Sequence, residues 1–247
     1  MAITDTTRKA ENIGSGVPSI NVTINSTVAG NLLVAFGSTY RNGTGTPATT
    51  CGDGGNTWST LKSQVRTNGA EKQEAHIQYS SIASGGNRTV TYSPNAGGNC
   101  DMWGSVHEFS GHDSGSPVSG TPVGNSGTSE TTADTTGFTP ADADCLYVAC
   151  EGNSATGAVT ENASPGDTDW TFDNDHESGA TGEPGGSVFF IRSGSAVSRR
   201  AAWTITSGTF WAAVIGAFKP STASPVIDDY GVSFVPIRQS QLVPIGR

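Results

Sequence analysis

Positive charge is scarce in this sequence. Thirteen Lys and Arg stand against 22 Asp and Glu, for a net charge of −9. A protein that grips a phosphate backbone needs a basic face. The nearest approach to one here is the sparse trio Arg192, Arg199 and Arg200, so no nucleic-acid partner is expected. Long apolar runs are missing too. No stretch approaches the roughly 20 residues of a membrane span, which removes the membrane as an expected partner. The N-terminus, MAITDTTRKAENIGSG, lacks the apolar segment of a secretory signal, so synthesis in a cytoplasm is the expectation. Helical periodicity is equally absent: no stretch longer than about ten residues holds a 3.6 period. With 33 Gly, only 14% charged residues and abundant Ser, Thr and Asn, the composition opposes long helices and suits short strands joined by tight turns.

Catalytic signatures are lacking as well. The chain has no phosphate-binding loop, dinucleotide fingerprint, G-x-S-x-G elbow or C-x-x-C pair. His107-Glu108-Phe109-Ser110-Gly111-His112 resembles the HExxH zinc motif, but it carries one residue too many and reads as a strand rather than a helix. Glu108 shares the phase of Val106 and is read as a partnered structural glutamate. Acidic groups at Asp142/Asp144, Asp167/Asp169 and Asp173/Asp175/Glu177, with His176 among them, are oxygen-rich enough to hold Ca²⁺, yet none has the EF-hand spacing. The expectation is no cofactor, with Ca²⁺ as the alternative, and no enzyme.

Four cysteines are present. Cys145 and Cys150 lie in one expected strand at a spacing that sends them to opposite faces. Cys51 and Cys100 lie in Gly/Asn-rich stretches. The four are read as free thiols, with a Cys51–Cys100 disulfide as the alternative. Trp58, Trp103, Trp170, Trp203 and Trp211 are candidate sugar-stacking platforms, although Trp58 and Trp170 flank expected strands and read as core.

What the sequence does have is strand pattern. Asn31–Ser38 reads NLLVAFGS, an uncharged run bounded by glycines, which predicts a strand buried on both faces. Ile20, Val22 and Ile24 alternate with polar residues, as a half-buried strand requires. Further strands are predicted from Trp58, over Ala75–Ala83, over Arg88–Ser93 and over Asp101–Gly111. The series then repeats. LYVAC echoes LLVAF, placing Leu146 114 residues after Leu32; Trp170 lies 112 after Trp58 and Phe218 109 after Phe109. A near-constant offset is what an internal duplication produces. The reading is an all-β, jelly-roll-like or Greek-key β-sandwich built from two similar halves, about 19–111 and 136–220, each sheet burying one side. Residues 1–18 are expected to be an arm and 112–135 a surface linker. Residues 221–247 form either an edge strand or an arm, whose Val226, Tyr230, Val232, Phe234 and Ile237 are candidate partner contacts.

NLLVAF, GGNTW, HIQYSSIA, TVTYS and VHEFSG, followed by LYVAC to AAVIGAFKP, resemble Gly/Ser/Thr-rich β-sandwich proteins of bacteriophage virions and bacterial surfaces. The resemblance covers about residues 19–220 and implies a structural virion protein: a capsid decoration, fibre or tail accessory. Its implied partners are copies of itself and other virion proteins. The alternative is a glycan-binding module that meets cell-surface glycan, with or without Ca²⁺.

Overall fold

An uncharged apolar run can be satisfied only where both faces are covered, and Leu32–Phe36 is covered on both, every residue fully buried. The computed structural model describes residues 2–95, 98–154, 159–161, 167, 170–176, 185–222, 226–227 and 233–234. Among them are sixteen strands and no helix. The first eight are β1 (Thr4–Val17), β2 (Ile20–Thr27), β3 (Leu32–Asn42), β4 (Thr49–Gly52), β5 (Ser59–Asn68), β6 (Glu71–Ser81), β7 (Gly86–Pro94) and β8 (Cys100–Ser110). They form one sheet of order β1-β8-β3-β6-β5 and another of order β2-β7-β4, all antiparallel. This is jelly-roll order, except that β5 extends the first sheet.

The next six strands are β9 (Val123–Asp134), β10 (Leu146–Asn153), β11 (Thr160–Glu161), β12 (Thr171–His176), β13 (Gly185–Arg192) and β14 (Ala202–Phe218). They pair as β11-β14-β10-β13-β12, with β9 also on β14. Their pairing reads beside the first set. In pairing order, β14-β10-β13-β12 matches β8-β3-β6-β5, and β9-β14-β11 matches β2-β7-β4. β14 is one long strand with two pairing segments. Its Trp211–Phe218 part pairs with β10, its Trp203–Thr204 part pairs with β11, and a register shift against β9 separates them. The last two strands, β15 (Val226–Ile227) and β16 (Ser233–Phe234), pair with each other.

Three apolar clusters define the layers. The central one joins Leu32, Val34 and Phe36 of β3 to Leu146, Val148 and Cys150 of β10, so the first sheet packs directly on the second. Behind the first sheet, Leu33, Ala35, Val106 and Met102 meet Ile20, Val22, Ile24, Val90 and Tyr92. Behind the second, Tyr147, Ala149, Ala213 and Ile215 meet Phe138, Val159, Trp170 and Trp203. The expectation of two sheets each burying one side is therefore corrected: both central sheets are covered on both faces.

Other expectations change as well. Residues 1–18 are no arm, because Thr4–Val17 is an edge strand paired with β8. Its sequence lacks alternation, and it is held by backbone pairing and by its partner's carboxylate, described below. The surface linker over 112–135 contains β9, which β14 pairs along most of its length. The four cysteines are free. Cys51 stands opposite Tyr92 in one sheet and Cys100 opposite Val17 in another. Cys145 and Cys150 do point into different clusters.

Close sheet packing depends on missing side chains. Gly37 and Gly104 are register partners on β3 and β8. A Cβ on Gly104 would lie 2.8 Å from Tyr92 Cζ, and one on Gly37 would meet His76 and, at 3.2 Å, the same tyrosine ring. Tyr92 thus crosses from the β2-β7-β4 sheet onto a glycine floor and donates its hydroxyl to the Ser105 carbonyl at 2.7 Å.

Candidate functional site

Several buried polar groups are committed to the fold. Glu108 is fully buried. Its carboxylate accepts from Val28 N at 2.7 Å, Asn31 Nδ2 at 2.8 Å and Arg8 Nη1 at 3.1 Å, with Thr6 Oγ1 at 3.4 Å. One side chain therefore pins β1, the β2–β3 turn and β8, a partnered structural glutamate. Its neighbour His107 points the other way, against Phe36 and Phe190 with ring centroids 5.3 and 5.9 Å away. Strand geometry thus separates the residues of the HExxH-like stretch. Glu74 is similarly engaged, accepting from Thr49 N and Oγ1 and from Ser63 Oγ. Arg200 donates through Nε to Asp134 at 2.7 Å, and Asp167 accepts from Arg200 N.

His76 differs. It is fully buried, and neither ring nitrogen has a hydrogen-bond partner. Desolvation lowers its pKa below the ordinary 6.5, the Glu74 carboxylate opposing the shift. Burial likewise pushes the Cys51 thiol well up, with Glu74 adding to the effect, and raises the Cys150 thiol. Thiols so shifted are poor nucleophiles.

An open groove offers accessible chemistry. It has a volume of about 400 Å³ and is lined by Gly55–Thr57 before β5 and Ser59 at its start, by Tyr79–Ser81 at the end of β6, and by Ala83, Ser114 and Pro117. No lining residue is charged. Asp53, outside the lining, braces one wall by accepting from Gly55 N at 3.1 Å and Asn56 N at 2.8 Å. Burial opposes ionisation of Asp53, but these donors and the Asn56 and Trp58 side chains outweigh it and hold the carboxyl below its usual range. Asn56 Oδ1 accepts from Ala83 N, and Ser80 Oγ donates to the Thr57 carbonyl. Outside the lining, next to Ser114, Asp113 accepts from Gly115 N and Ser116 N and lies 3.5 Å from Lys219 Nζ, so its charge is engaged within its own loop and with Lys219. The floor is Tyr79, half-buried, its ring edge-on to Phe218 with centroids 5.2 Å apart. Ser81, also in the lining, has its Oγ 3.1 Å from His112 Nε2.

Two other cavities are less equipped. A space of about 120 Å³ lies at a bulge of β1, beside Asp5, Thr7, Lys9 and His107. A shallow one runs along Ser129–Thr132 and Asp134.

Of the candidate partner contacts, Tyr230, Val232 and Ile237 lie outside the described residues. Val226 and Phe234 are register partners in the β15–β16 ribbon. Asp169 and Glu177 are also outside the described residues, while Asp173, Asp175 and His176 contribute backbone to β12. Among the described residues, no group of three His, Cys, Asp or Glu is placed to hold a metal ion. The tryptophans are not exposed platforms: Trp103, Trp170, Trp203 and Trp211 are buried, and Trp58 packs against the apolar cluster behind the first sheet. Sequence reasoning missed Tyr79 and its serines. The groove's walls come from segments far apart in the chain. No protein-family model matches the chain, and no curated protein matches it.

Proposed function

We propose that this chain is a non-enzymatic structural protein of a bacteriophage particle, a capsid decoration, fibre or tail accessory. It is made in the host cytoplasm, carried in the virion and associated with copies of itself and with other virion proteins. The carrying observation is the stack itself, in which jelly-roll pairing order occurs in one unit, is paralleled in the next, and the two share a core. Jelly rolls serve as rigid particle-building and lectin domains. The parallel pairing also supports two similar halves descended from one duplicated unit. Glu108, Glu74 and Asp134, the acids best placed inside the fold, hold it together and leave loops, edges and the segment 221–247 for contacts.

Electron microscopy and mass spectrometry of purified particles test this. The chain is expected in stoichiometric amounts in a particle or filament, and its absence from every such assembly would sink the idea. Native mass with and without residues 221–247 tests the arm, truncation being expected to lower a symmetric oligomer.

The groove favours a second reading, a glycan-binding module. Glycan-array binding with and without chelator tests it and its calcium requirement together.

A further inference from the structure

We propose that the groove between β5, the end of β6 and the 112–117 loop binds a neutral saccharide, with Tyr79 as the face on which a sugar ring lies and Ser81 as a hydrogen-bond donor. This rests on the glycan-binding reading and gives it a location. Size comes first: about 400 Å³ falls within the range of about 300–1,000 Å³ typical of small-ligand sites. Charge comes second. With no charged residue in the lining and a protein net charge of −9, an anionic ligand gains nothing here and is repelled at long range. A neutral polyol loses nothing. Shape and chemistry come third. A sugar offers an apolar C–H face and a rim of hydroxyls. Tyr79 offers an aromatic ring that cannot swing away, because Phe218 backs it. Ser59, Thr57 and Ser114 stand exposed around it.

The fourth observation concerns His112. It is only 4% exposed, its Nδ1 has no partner, and its Nε2 faces Ser81 of the groove lining. Desolvation lowers its pKa, Asp113 opposing, so the ring is neutral near pH 7. A buried N–H without an acceptor is the rarer defect, so the proton belongs on Nε2, where Ser81 Oγ accepts it. The Ser81 hydroxyl hydrogen is then free to point into the groove, toward a ligand oxygen. The same tautomer separates this pair from a nucleophile and its base. A protonated Nε2 cannot take the Ser81 proton, and the adjacent acid, Asp113, is turned to Gly115, Ser116 and Lys219 instead of Nδ1. The built pair positions a donor.

The test is saturation-transfer NMR and calorimetry on the full chain with neutral oligosaccharides based on glucose, galactose, mannose and N-acetylhexosamines. A sialylated glycan serves as anionic control, and a fluorophosphonate probe reports any reactive serine. A neutral saccharide is expected to bind with Kd on the order of 1 mM and the sialylated control not to bind. Tyr79→Ala should weaken binding about tenfold, and Ser81→Ala should weaken it less. Because Tyr79 packs on Phe218, the exposed-site variant Ser59→Arg is the fold-preserving check: it should abolish binding with an unchanged melting curve. If a saccharide binds Ser59→Arg as well as the parent, the groove assignment fails while the glycan reading survives. If none of the panel binds, both fail. Covalent labelling of Ser81 by the probe would overturn the donor role and make the pair catalytic.

Discussion

Glu108 and His76 are both fully buried on the first sheet, and they differ in what surrounds them. Glu108 has donors at every oxygen. Replacing it with Ala leaves the Val28 N–H and the Asn31 amide without their acceptor, while the Arg8 guanidinium, 38% exposed, turns to solvent. Orphaned donors of this kind cost about 1–3 kcal/mol, so Glu108→Ala is expected to lose about 2 kcal/mol in urea unfolding, with Glu108→Gln losing less. His76 has no hydrogen-bond partner, and burial holds its pKa below the ordinary 6.5. A group less basic in the folded chain is protonated first in the unfolded chain. Its contribution to stability is therefore intact above about 6.5 and falls as pH drops below that value, by at most about 1.4 kcal/mol per pH unit. Urea midpoints between about pH 7.5 and about pH 5 should show that decline. His76→Leu should flatten it, leaving a smaller slope from His112, whose pKa is also lowered. An identical slope in the variant would contradict the assignment.

Between elements, the controlling contact is Tyr92 lying over Gly37 and Gly104. Alanine at 104 would put a Cβ 2.8 Å from Cζ of a ring already tied to the Ser105 carbonyl. Overpacking of this kind costs about 1–3 kcal/mol. In a Tyr92→Leu background the same Gly104→Ala change should cost clearly less, so the double-mutant cycle should return a non-zero coupling; additive effects would mean the sheets do not meet through this ring. This contact also marks how far the sequence could be read. The runs Leu32–Phe36 and Leu146–Cys150 were legible because an uncharged β-prone stretch between turn residues has few alternatives. The alternation of Ile20, Val22 and Ile24 was legible for the same reason, and the phase of Val106 identified Glu108 as a buried, partnered acid. β1 was illegible, since TDTTRKAENIGSGV shows no alternation and its place comes from pairing with β8 and from Arg8 and Thr6 reaching Glu108. β9 was hidden by low complexity. Tyr79 was visible as a strand residue but not as a groove floor, because the walls of that groove lie before β5 and after β8.

At the scale of the whole molecule, the two units cannot be treated as domains. Leu32, Val34 and Phe36 share one cluster with Leu146, Val148, Cys150 and Val188, and Gly186 of β13 leaves room for the Trp103 indole, whose Cε3 lies 2.5 Å from where a Cβ would stand. Separating the units would expose this face on both. A chain of 247 residues is longer than most that unfold in one step, yet a shared core couples the units and predicts a single calorimetric transition. Val148→Ala removes buried volume from the second unit and should destabilise by about 2 kcal/mol. If the core is common, it lowers the unfolding temperature of the entire transition, including the part reported by Trp58 in the first unit. A split endotherm, or a shift confined to one part of it, would mean that the units fold independently and merely touch. Deleting residues 221–247 supplies the complementary result. The β15–β16 ribbon pairs with itself, so its removal should leave that transition in place. A fall in oligomer mass without a fall in unfolding temperature would then assign the segment to association and the stacked sheets to stability.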